Sequence, residues 1–417
     1  MRNIKIGLIV IFSLIAIWLG VVMVRGITGH GIFYVRNNAV DTSSQDMRLV
    51  LDEELALDGI DDIRVFYGMN GNDVYIYEGE GNTLTVKEYL GSGIKDNEAS
   101  TVSVNGSILE IKGKKRNTSG FSFFFHIGTS NFGNGSYTEI WLPSSYKGRL
   151  KLQTASGDIT AEQNIALNNW FEATSLSGTI SIPGVDAQAV VISGTSSDIK
   201  IDDINTNTTR TNAIIDIATT SGDMEFKKLN GKVSITTTSG YVTAETITGD
   251  AKFASTSGDI KVGHIDGNVD ATSTSGFVRI SEGSGARKVS TTSGDITLEG
   301  MNGDFDISTA SGEISVTDDK GAGSIETISG DVRLELAELA GNLDINTTSG
   351  YVDMKLSKMD SFAFEVNTTS GEIDTFFDDN LKFSKRGNSA EGTYGSNTQG
   401  NKIDIETTSG DVRITKN

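Results

Sequence analysis

The residues able to do chemistry are few and scattered. The chain has three histidines, His30, His126 and His264, and no cysteine in 417 residues. Disulfides, thiolate catalysis and cysteine-bound metals are thereby excluded. None of the histidines recurs periodically, and none has a neighbour at ligand spacing. A serine–histidine–aspartate site needs no adjacency in sequence, but ordinary surface or strand residues are the simpler reading of His126 and His264. The glycines follow a structural period and make no phosphate-binding loop.

Carboxylates are the abundant reactive group. Asp and Glu number 55 against 35 Lys and Arg, a net charge of −20. Residues 1–25 hold Arg2, Lys5 and Arg25 and no acid, leaving 32 bases against 55 acids, or −23, in the remainder. That field repels nucleic acid and anionic membrane surfaces. The acids recur at one place, directly after a glycine. In order these positions are Asp223, Tyr241, Asp259, Phe277, Asp295, Glu313, Asp331, Tyr351 and Glu372. Acid and aromatic alternate except at Asp295, Glu313 and Asp331. That triple is a candidate weak cation site or acidic patch. The plainer reading is tolerated repulsion, roughly 1 kcal/mol between neighbours at water's dielectric. A calcium roll would need Gly-Gly-x-Gly-x-Asp turns, and each turn here has one glycine. A polysaccharide-cleaving site would need bases recurring beside the acids, and none do. No catalytic, cofactor or metal-binding residue is assigned, and a non-enzymatic protein is expected.

The elements that position these residues are strands. From about 149 to the end, the phrase Ser-Gly-acid/aromatic-apolar recurs. Its glycine stands at 222, 240, 258, 276, 294, 312 and 330, an 18-residue spacing. A second glycine lies midway, at 231, 249, 267, 285, 303 and 321. In the unit 294–312, Ile296 and Leu298 alternate inward, then Phe305, Ile307 and Thr309. One unit buries too little to fold, whereas stacked units share a continuous core. This predicts an all-β, parallel β-solenoid (β-helix) of ~18-residue coils over 149–417, with neighbouring coils ~4.8 Å apart. A long antiparallel meander gives the same period but leaves one face uncovered. Corner glycines are expected where a Cβ is disfavoured. Arg287, in a slot usually apolar, marks a bulged or exposed corner. The final strand, 409–417, is expected to begin a new coil and leave an unpaired edge. Either another copy or partner strand pairs there, or the irregular segment 376–400 folds over it.

Upstream, residues 51–148 alternate apolar and polar residues as a β-rich lead-in or capping domain. Within it, 121–125 is an aromatic strand whose Phe124 points outward, as a partner patch or under a loop. Lys114-Lys115-Arg116 reads as a solvated hairpin tip. Residues 26–50 form a polar tether. Residues 6–24 are an uncharged, mostly apolar run, which as a helix of ~1.5 Å rise would span roughly 28 Å. Residues 1–25 are therefore expected to be an uncleaved signal-anchor transmembrane helix. The short basic tail favours leaving the bulk of the chain extracytoplasmic.

The repeated Thr-Thr-Ser-Gly-Asp-Ile/Val phrase, as at 219–224, 291–296 and 407–412, resembles the "putative adhesin" β-strand-repeat family of bacterial envelope proteins. The lead-in is similar too, in Gly59-Ile60-Asp61-Asp62-Ile63, Asp73-Val74-Tyr75-Ile76-Tyr77 and Ile140-Trp141-Leu142-Pro143. The resemblance covers roughly 55–417. It implies a parallel β-solenoid at the cell envelope and no defined ligand. The expected function is a single-pass, membrane-anchored surface scaffold, adhesin-like or envelope-organising, with a protein or cell-surface glycan ligand and no nucleic acid. The alternatives are an envelope-stress sensor with a membrane partner and a polysaccharide-active β-helix enzyme.

Overall fold

A computed structural model describes residues 47–68, 71–114, 135–206, 213–356, 361–377, 381–384, 386–395 and 400–416. The expected membrane helix at 6–24, nearly all of the tether, the Phe121–Phe125 strand, His30 and His126 lie outside the described residues. Among the described residues, no helix is long and apolar enough to cross a membrane.

The repeat folds as its pattern requires. In one coil Ile260, Val262, Ile265, Val269 and Ala271 are buried. The alternation of two breaks between Val262 and Ile265, because Gly263 and His264 both face outward. Pairing with the preceding coil lapses at Gly263, so the strand bends there. Gly267 makes a second corner at φ +155. The Ser-Gly phrase makes the third. Equivalent residues pair in parallel and in register, running Met224, Val242, Ile260, Val278, Ile296, Ile314, Val332 and Val352. A parallel ladder of this kind is a solenoid and not a meander.

Two kinds of corner glycine emerge. Gly249 and Gly267 have positive φ, as expected. Gly258 and Gly294 do not; each instead lies against the glycine one coil below. A Cβ on Gly258 would overlap the carbonyl of Gly240, and one on Gly294 that of Gly276. The residues around them satisfy the corner backbone. Thr237 Oγ1 accepts the Gly240 N–H at 3.0 Å, and Thr327 Oγ1 that of Gly330 at 3.0 Å.

The ends of the stack depart from chain order. Asp62–Phe66 lies between Ile108–Lys112 and Arg149–Thr154, parallel to both. Asp73–Gly79 likewise lies between Ser136–Pro143 and Ile159–Ala161. The expected boundary at 148/149 therefore falls inside one continuous ladder, within a single compact unit, 46–417. Outside these coils, Thr83–Leu90 and Arg48–Ala56 add antiparallel strands. The same device recurs at the other end. Lys402–Thr407 lies between the strands ending at Thr347 and Thr368, and Val412–Lys416 between Val352–Leu356 and Ile373–Thr375. The last strand is thus paired on both sides, which corrects the expected unpaired edge. The antiparallel pair Leu381–Phe383 and Ser389–Tyr394 covers Phe362–Thr368 instead. Phe362, Phe364, Phe377 and Tyr394 pack ring to ring beneath it.

Arg287 is a second correction: it is buried, not at an exposed corner. Its column runs Val269, Arg287, Phe305, Gly323. Asp318 adopts φ +53, and Gly300, in the preceding coil, adopts φ +64. Asp319 then turns inward. Arg287 Nη1 meets Asp319 Oδ2 at 2.6 Å, Nη2 meets Oδ1 at 3.2 Å, and Nη2 also donates to Gly303 O. Burial raises the Asp319 carboxyl above its usual range, and Arg287 opposes that shift.

Two outcomes follow for thermal unfolding of the purified chain. Gly258→Val should lower stability by about 3 kcal/mol through overlap in a rigid stack, while Lys261→Val, on an exposed mid-strand site, should change it by less than about 0.5 kcal/mol. Equal melting of both would refute the glycine contact. Asp319→Ala should cost about 3–5 kcal/mol by stranding a buried cation, and Arg287→Met with Asp319→Leu should recover most of it. A double variant no better than Asp319→Ala would show that Arg287 packs for another reason.

Candidate functional site

His264 is the histidine that can be placed. Its Nε2 lies 3.2 Å from Asp266 Oδ2, and Ser284 Oγ donates to Asp266 Oδ1 at 2.9 Å. The His264 contact, then Ser284, lowers the Asp266 carboxyl below its usual range. The order of contacts is serine to aspartate to histidine. Nucleophilic catalysis needs the imidazole between the other two, to take the hydroxyl proton. This exposed group cannot do that in this arrangement. Lys114, the placed part of the basic tip, donates to Asn97 O at 3.2 Å.

A cluster that sequence reading missed sits where the amino-terminal coils interleave. Glu88 is fully buried, with Asn72, Ser100, Ser136, Thr138 and Tyr67 around it. Glu88 accepts from Asn72 Nδ2 at 2.9 Å and from the Ser100 N–H at 2.6 Å. Tyr67 Oη lies 2.5 Å from Thr138 Oγ1, and Ser136 Oγ donates to Asn72 Oδ1. Burial first, then the Glu88 charge, pushes the Tyr67 phenol up to about 12. It stays protonated at neutral pH and cannot serve as a base. With each member 5% exposed or less, the cluster is a sealed lock joining five segments. A buried carboxylate in an alternating strand, Glu88 between Val86 and Leu90, was the available signal.

The acid ladder has a structural role. Asp223 Oδ1 accepts the Tyr241 N–H at 2.9 Å, Asp259 that of Phe277 at 3.0 Å, Asp295 that of Glu313 at 2.8 Å and Asp331 that of Tyr351 at 3.0 Å. Each aspartate caps a backbone donor one coil on. In the Asp295, Glu313 and Asp331 triple, Glu313 is also paired with Arg333. Among the described residues, no group of three or more acids, histidines or cysteines could hold a metal.

A groove of about 900 Å³ lies on the flank near the carboxy-terminal end. Its outward column is set by strand pairing: Ser308, Glu326, Asn346, Glu406 and Asn367, in that spatial order. Glu406 enters between Asn346 and Asn367 only because the last coil is interleaved. Carboxylate and amide therefore alternate, and the two carboxylates are two coils apart, about 9.6 Å. Beside them runs a buried threonine column containing Thr327, Thr347 and Thr407. Thr347 Oγ1 is buried without a hydrogen-bond partner. Among the described residues, Glu326 and Glu406 are the only charged ones lining the groove. They and their neighbours offer acceptors, amides and hydroxyls, and no basic group.

Comparison with known proteins follows from this geometry. No curated protein matches the chain. A "putative cell adhesion protein" from Clostridium sporogenes ATCC 15579 shares 10% identity over 88% of this chain and 100% of its own, with TM-score 0.17. A "putative lipid binding protein" from Parabacteroides distasonis ATCC 8503 shares 13% over 75% and 97%, TM-score 0.25. A "putative adhesin" from the same organism shares 12% over 89% and 98%, TM-score 0.20. Likeness at that level adds nothing about the ligand. The family model Toastrack DUF4097 matches residues 64–288 and 285–415. With nearly the whole stacked ladder inside those matches, the chain belongs to the Toastrack DUF4097 family.

Proposed function

We propose that this protein is a non-enzymatic surface scaffold, adhesin-like or envelope-organising, held by a membrane anchor at 6–24 with its β-solenoid outside the membrane. The observation that carries the reading is an open polar groove on the flank of a rod whose end coils are largely covered by antiparallel strands. A rod with its end coils covered has its sides to offer a partner. The placed reactive groups support the same reading. His264 lacks a nucleophile in contact, and Glu88 and Tyr67 are sealed. The apolar run after a short basic tail supports the anchor and its orientation.

The chain has no cysteine, so Lys261→Cys, at an exposed site, gives a unique label position. A membrane-impermeant maleimide should label it in intact cells as fully as in lysed cells. Labelling only after lysis would place the solenoid inside and end the surface reading.

A further inference from the structure

We infer that the carboxy-terminal groove binds an uncharged linear polysaccharide laid along the rod axis. This rests on the surface-scaffold reading and names the ligand class for it. The shape is the first argument. The five rows from Ser308 to Asn367 span roughly 20 Å at ~4.8 Å per coil, and the groove is open along that length. A chain fits such a trough, and a small molecule would leave most of it wet. A 1,4-linked pyranose chain advances by a similar length per sugar, so successive sugars would meet successive rows.

Chemistry is the second argument. The exposed Glu326, Asn346, Glu406 and Asn367 present carboxylate and amide in turn. A carboxylate accepts from sugar hydroxyls, and an amide both donates and accepts. At the rim, Ile328 is 59% exposed and offers an apolar contact for a sugar face.

Other polymers fit less well. Two carboxylates with no lining base among the described residues, on a chain of net charge −20, repel polyanions. A peptide adding as a β-strand needs free backbone donors and acceptors. Here Glu326, Asn346 and Glu406 sit in strands paired on both sides. Recognition must come from side chains alone.

The test uses the full chain in a sugar-free detergent, titrated calorimetrically with cellohexaose, chitohexaose and maltohexaose at low and high salt. At least one hexasaccharide should bind, with an affinity unchanged by salt. Glu406→Ala and Asn346→Ala should each weaken it roughly tenfold, as expected for a lost hydrogen bond to a charged or amide group. Melting temperature should be unaltered in both, and Lys261→Ala, away from the groove, should bind as wild type. No hexasaccharide binding, or equal binding by the groove variants, overturns the proposal. So does binding only of an oligolysine probe that high salt abolishes. These failures would leave surface exposure, read by maleimide labelling of the Lys261→Cys variant, standing on its own.

Discussion

One contact governs this molecule: the stacking of a corner glycine on the carbonyl of the glycine one coil below. Parallel strands pair at ~4.8 Å, and the corners joining them must stack just as closely. At Gly240, Gly258 and Gly276 a Cβ would occupy the space of the preceding coil's carbonyl. With that approach fixed, the corner's backbone donors cannot all reach a ladder partner. The threonine or serine three residues before the glycine takes one of them, and an aspartate after the glycine takes another one coil on. The phrase Thr-Thr-Ser-Gly-Asp is thus a closed set of hydrogen bonds around a steric requirement. It also holds every coil in register, so that outward residues form columns and small changes of residue type become features of a face.

A stack of this kind has an unpaired edge at each end, which invites association with other chains. Here each end places a coil from near a chain terminus inside the stack and covers part of the outermost coil with antiparallel strands. The strands of the outermost coils, Ile108–Lys112 with Ser136–Pro143 and Phe362–Thr368 with Ile373–Thr375, are internal in sequence. Unravelling from the carboxy-terminal side must therefore break two ladders at once. The two locks differ in chemistry. At the amino-terminal end a buried polar network is centred on Glu88. At the carboxy-terminal end an aromatic cluster is centred on Phe377. Polar networks specify a unique arrangement when every member is satisfied, and aromatic packing adds burial with preferred ring geometry.

Much of this was legible in the residues. The 18-residue glycine spacing, with Ile296, Leu298, Phe305 and Ile307 in fixed slots, identified the coil and its core. The alternation of acid and aromatic after the glycine was visible, although its purpose was not. Repulsion between Asp295, Glu313 and Asp331 was the wrong emphasis, since Asp295 and Asp331 cap backbone amides. Arg287 was misread because a charged residue in an apolar slot suggests exposure. Its partner Asp319 lies 32 residues away and becomes inward only through the left-handed turn at Asp318. Interleaving could not be read from a period at all. A repeat states which residues are equivalent, not the order in which the coils stack. The Glu326–Asn346–Glu406–Asn367 column depends on that order and was invisible for the same reason.

The groove and the protected last strand both depend on interleaving, so stacking order is the claim to test. In the structure Asp353 is the register partner of Arg413, which is in turn the partner of Asp374. Parallel register partners lie at a Cα separation of about 4.8 Å, within disulfide range. The chain has no native cysteine to compete. Three double variants should be oxidised mildly and cross-linking read by mobility after a cut between the two sites. Asp353→Cys with Arg413→Cys and Asp374→Cys with Arg413→Cys should both cross-link, and Asp353→Cys with Asp374→Cys should not. Cross-linking of 353 to 374 without that of 353 to 413 would mean that the coils stack in chain order, and interleaving would be refuted.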